Sequence, residues 1–84
     1  ATHKQRDGRT APARIRAMRR SPDATTRQVA LILEAFASER RTEGAFYLRF
    51  LRLAPMEIEA LERLWGISGA SWRLFRRICR FFGV

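Results

Sequence analysis

Cysteine, histidine, lysine and tyrosine each occur once in these 84 residues. Cys79 therefore has no partner for an internal disulfide, and with His3 far away in sequence there is no zinc-ligand set. No apolar run nears the roughly 20 residues of a membrane span, and the first residues hold no apolar signal core. The chain is expected to be neither transmembrane nor secreted, with a cytoplasmic or nucleoid-associated place as the default. Glycine-rich phosphate loops and Ser-His or Cys-His pairs are missing too. Glu57, Glu59 and Glu62 fall on one helix where Arg63 and solvent account for them, and nothing nearby activates Tyr47 as a nucleophile. Neither enzymatic activity nor a metal or cofactor is expected.

What is abundant is arginine. Sixteen of the seventeen cations are Arg, against eight carboxylates, for a formal charge of +9. Such a charge repels itself, and an anionic partner relieves it. The guanidinium fork also suits phosphate better than an ammonium does. Residues 1–20 carry seven cations (Lys4, Arg6, Arg9, Arg14, Arg16, Arg19, Arg20) against Asp7, and residues 70–84 carry four against none. Six cations and seven anions lie between them, so an ordinary middle separates two basic ends.

Residues 1–21 read as a basic, flexible arm, with too few large apolar groups up to Pro12 to offset the entropy of ordering and a short helix at 13–20. The remainder, 22–84, reads as one helical domain. Ser21-Pro22 and Thr25 with Gln28 resemble helix-start signals, and Val29, Ile32, Leu33 and Phe36 repeat at helical spacing, predicting a helix to about Arg41. A helix over 44–53 follows, with Phe46, Phe50 and Leu53 on one stripe and Leu48 and Leu51 near the opposite one. Apolarity on two sides makes 44–53 a candidate homodimer interface. Pro55 starts a fourth helix whose buried face is Ile58, Leu61, Leu64 and Trp65, and Gly66 ends it. Ser68 caps a fifth, running to about Phe82. No stretch alternates with period 2, so the expected fold is all-α: a small bundle of four to five short helices.

In the last helix Arg73, Arg76, Arg77 and Arg80 recur at i, i+3, i+4 and i+7, while Leu74, Phe75, Ile78, Phe81 and Phe82 fill the other side. The stretch EALERLWGISGASWRLFRR, residues 59–77, resembles the helix-turn-helix of DNA-binding proteins. Leu61 and Trp65 match its first-helix apolar positions, Gly66 its turn glycine, Ile67 the apolar residue after it, and Trp72 and Phe75 the buried row of its second helix. Glu62 stands where the family has a small residue. The resemblance implies that Gly69, Ala70, Ser71 and Arg73 begin a recognition helix near base edges, with Arg76, Arg77 and Arg80 facing phosphates or bases. A basic arm beside such a helix often follows the minor groove or the backbone, a role open to Lys4, Arg6, Arg9, Arg14, Arg16, Arg19 and Arg20.

The expected partner is thus nucleic acid, DNA ahead of RNA, for a regulator or architectural factor. Three other readings fit the same residues. Arg-rich segments that order on binding are common in RNA-binding and ribonucleoprotein proteins. RLFRRICRFF has the makeup of a membrane-surface helix, though its apolar face is also what a core requires. The two-sided helix 44–53 suits a protein–protein adaptor.

Overall fold

The computed structural model describes residues 10–69 and 71–84 and is all-α, with five helices: α1 (Ala11–Arg19), α2 (Ala24–Ala37), α3 (Glu43–Phe50), α4 (Pro55–Trp65) and α5 (Ser71–Phe82). No strand occurs among the described residues. Lys4, Arg6 and Arg9 lie outside them.

Helices α1 to α4 start where the sequence can satisfy the free amide groups of a first turn. Thr10 Oγ1 accepts from Ala13 N at 3.3 Å, Asp23 Oδ2 from Thr26 N at 3.0 Å and Thr42 Oγ1 from Ala45 N at 3.1 Å. Ala54 has only a methyl group, which cannot accept a hydrogen bond; there Glu57 Oε1 reaches back to accept from the Ala54 amide at 2.8 Å, one half of a capping box. The cap of α2 is Asp23 rather than Ser21 or Thr25, because only its carboxylate reaches the Thr26 amide, while Ser21 Oγ accepts from Asp23 N at 3.0 Å. The Thr26 hydroxyl and amide together hold the Asp23 carboxyl below its ordinary value. That contribution to stability is in place at neutral pH and is lost as pH falls through the lowered value.

The ends fall earlier than the spacing predicts. Helix α2 stops at Ala37, not Arg41, because its apolar row finishes at Phe36 and residues 38–41 are polar, leaving no packing to extend it. Helix α3 stops at Phe50, where Arg52 N and Leu53 N turn back to Arg49 O and Phe50 O and fold Leu53 into the core. Gly66 closes α4 in the left-handed region at φ 67°, with Ile67 N donating to Glu62 O at 3.0 Å. A Cβ at 66 would meet nothing within 4 Å, so the cost of a side chain there is conformational only. Gly66→Ala should lower the stability measured by urea denaturation by about 1–2 kcal/mol. Gly69 is left-handed as well, at φ 63°, and α5 begins at Ser71 rather than just after Ser68.

Three helix pairs make the body: α1 on α2, α2 on α4 and α3 on α5. Phenylalanines join them. Phe46 of α3 meets Phe36 of α2 edge-on at 5.8 Å and Phe82 of α5 at 5.1 Å, and Phe81 continues the row to Trp65 of α4 at 6.1 Å. Val29, Leu33, Phe36, Phe46, Leu61, Leu74, Phe75 and Ile78 are fully buried, and no polar side chain is buried among the described residues. Helix α1, which the spacing placed inside the arm at 13–20, spans Ala11–Arg19 and docks through buried Ala11 and Ile15.

Candidate nucleic-acid interface

Helix α5 is divided sharply. Leu74, Phe75, Ile78, Cys79, Phe81 and Phe82 are buried, while Arg73, Arg76, Arg77 and Arg80 are all exposed. At 100° per residue the four arginines occupy a sector about 100° wide opposite the core. The predicted cationic stripe is therefore one outward surface, held by rings on its reverse side. Four like-charged neighbours at i,i+3 or i,i+4 (73–76, 73–77, 76–80 and 77–80) cost roughly 1–2 kcal/mol in total without a counter-anion.

Among the described residues, one of the four pairs with a carboxylate. Arg76 Nη1 lies 3.7 Å from Glu43 Oε2, in a pair more than half exposed on both sides, which is worth little in water. The ion pairs found among the described residues leave Arg73, Arg77 and Arg80 without a carboxylate.

Helix α1 extends this surface. The Arg14 guanidinium lies over the Phe81 ring at 4.5 Å, and Phe81 is one turn beyond Arg77 on the same helical row. Arg14, exposed on α1, is thereby held beside the C-terminal end of α5. Sequence spacing could not find that contact, because nothing in the order of residues says that α1 folds back on the end of α5. Arg19 is placed differently: its Nη1 donates to Glu34 Oε2 of α2 at 2.6 Å. Arg16 and Arg20 are exposed, Arg20 at the C-terminal cap of α1.

The N-terminal end of α5 departs from the resemblance. Trp72, expected in the buried row with Phe75, is 60% exposed, since its position falls at the edge of the apolar sector and its ring only leans on Phe75 at 5.5 Å. Ala70 lies outside the described residues, and α5 packs principally on α3. Ser71 is the exposed first residue of α5 and Gly69 precedes it in the connection.

Cys79 sits on the core side, 2% exposed, and burial raises its thiol pKa. In native protein it should react with a thiol reagent at least about 100-fold more slowly than in urea, where the thiolate fraction and access are both restored. No group of acidic, histidine or cysteine side chains able to hold a metal is present among the described residues, and no described helix is long and apolar enough to cross a membrane.

Comparison with known protein families, with curated proteins and with solved structures finds no match.

Proposed function

We propose that this protein binds nucleic acid, with duplex DNA as the favoured form, through the arginine surface of α5 extended by Arg14 and its neighbours on α1. One observation carries the reading: Arg73, Arg77 and Arg80 face solvent together, with no carboxylate among the described residues paired to them. A row of fixed cations whose mutual repulsion weakens its own helix is relieved by an anion of matching linear charge, and a phosphate backbone has that form. The helix is about 18 Å long, enough to lie in a major groove with its first residues, Ser71 and Arg73, near base edges and the later arginines on phosphates. Regulation of transcription and architectural binding are both compatible with this mode.

Purification gives the direct check. Protein isolated at low salt should carry nucleic acid that DNase removes and RNase does not. Removal by RNase alone would turn the reading to RNA, and an absence of bound polyanion at low salt, with no binding to added duplex, would end it.

A further inference from the structure

The outward face of α3 is apolar along its length. Gly44, Tyr47, Leu48 and Leu51 recur at i, i+3, i+4 and i+7, and all four are exposed, Leu48 to 62% and Leu51 to 60%. Gly44 has no role in the chain's own packing. Its backbone is ordinary helix, and a Cβ there would meet no atom within 4 Å. It is the second residue of the helix, and what it supplies there is bare backbone on which a second helix can lie closely. Beside this stripe a groove of about 330 Å³ opens between Tyr47 and Leu51 on one side and Trp72 on the other, floored by Phe50, Ile58 and Phe75.

We infer that this face pairs with the same face of a second copy of the chain, α3 against α3 about a two-fold axis. A two-fold contact must be self-complementary, and this surface holds both halves of such a fit: protruding Leu48 and Leu51, and recesses at Gly44 and the adjoining groove. The stripe itself is uncharged, and exposed Glu43 and Arg52 border it at opposite ends. The stripe alone spans roughly 11 Å of helix, too little for the ~800 Å² that each partner of a stable complex contributes. The groove, with 60% exposed Trp72 on its far side, widens the patch toward that size.

Each copy carries +9, so the charge outside the patch opposes the pairing. That repulsion decays over about 8 Å at physiological salt. Added salt should therefore strengthen self-association, whereas it weakens the binding of a polyanion. The two readings fail separately, because the pairing needs no nucleic acid.

Sedimentation equilibrium of the full chain, freed of nucleic acid, tests this at low and high salt. The expected result is a monomer–dimer equilibrium that shifts toward dimer as salt rises. Gly44→Leu, which open space allows in the monomer, and Leu48→Gln should each weaken association about 30-fold or more, the size of a hot-spot loss, with helical circular dichroism unchanged. A chain that is monomeric at every salt concentration, a dimer indifferent to both substitutions, or association seen only with an acidic protein would overturn the inference.

Discussion

Phe75→Ala should leave almost no cooperative unfolding transition. The Phe75 ring is fully buried and touches three others, Tyr47 at 5.3 Å, Phe50 at 5.5 Å and Trp72 at 5.5 Å, so it ties α3 to the start of α5. Truncating a buried phenylalanine costs about 3–5 kcal/mol. A domain of this length has roughly 4–12 kcal/mol in all, and one with so small a core sits toward the lower end. Phe75→Leu keeps most of the volume and should cost less than about 1.5 kcal/mol. Urea titrations followed by circular dichroism separate the two: a clear midpoint for leucine, and little or no folded baseline for alanine. Equal midpoints would show that this ring does not fasten α5 to the body.

The second large effect is on binding. Changing Arg73, Arg77 and Arg80 together to glutamine should lower duplex affinity roughly 100-fold or more, taking about 1 kcal/mol for each lost contact. Most of the like-charge repulsion along α5 disappears with them, so the same protein should melt at an equal or higher temperature than the parent. Loss of binding with gain of stability is the signature of a functional surface that the fold tolerates. A loss of both would mean that the arginines hold the fold together, and the surface would have to be sought elsewhere. Glu43→Gln makes a useful companion: it frees Arg76 from its carboxylate at 3.7 Å and should raise affinity slightly.

The helical class, the order of the helices and the two sides of α5 were legible in the sequence because each rests on a local period of 3.6. Val29, Ile32, Leu33 and Phe36 announce α2 unaided, and Arg73, Arg76, Arg77 and Arg80 announce the outward side of α5 in the same way. Helix ends were less legible: the extent of α2 depends on whether residues 38–41 find anything to pack against, which is a tertiary fact. Trp72 was misplaced for a related reason, since a residue at the margin of an apolar sector is buried or exposed according to its neighbours, and the neighbouring α3 leaves a groove there. Least legible were contacts between distant segments. The stacking of Arg14 on Phe81 and the pairing of Arg19 with Glu34 engage two of the three arginines of α1 with different helices, and no spacing rule distinguishes them.

If guanidinium groups of α5 neutralise phosphates, as proposed, added salt should loosen the complex. Affinity for a short duplex should be followed by fluorescence anisotropy over a series of salt concentrations, for the parent and for the triple glutamine protein. With about seven cations at phosphates, log affinity should fall with log salt at a slope near −6, and loss of three should bring it to about −3.6. Parallel lines for the two proteins, or a parent slope near zero, would contradict the account.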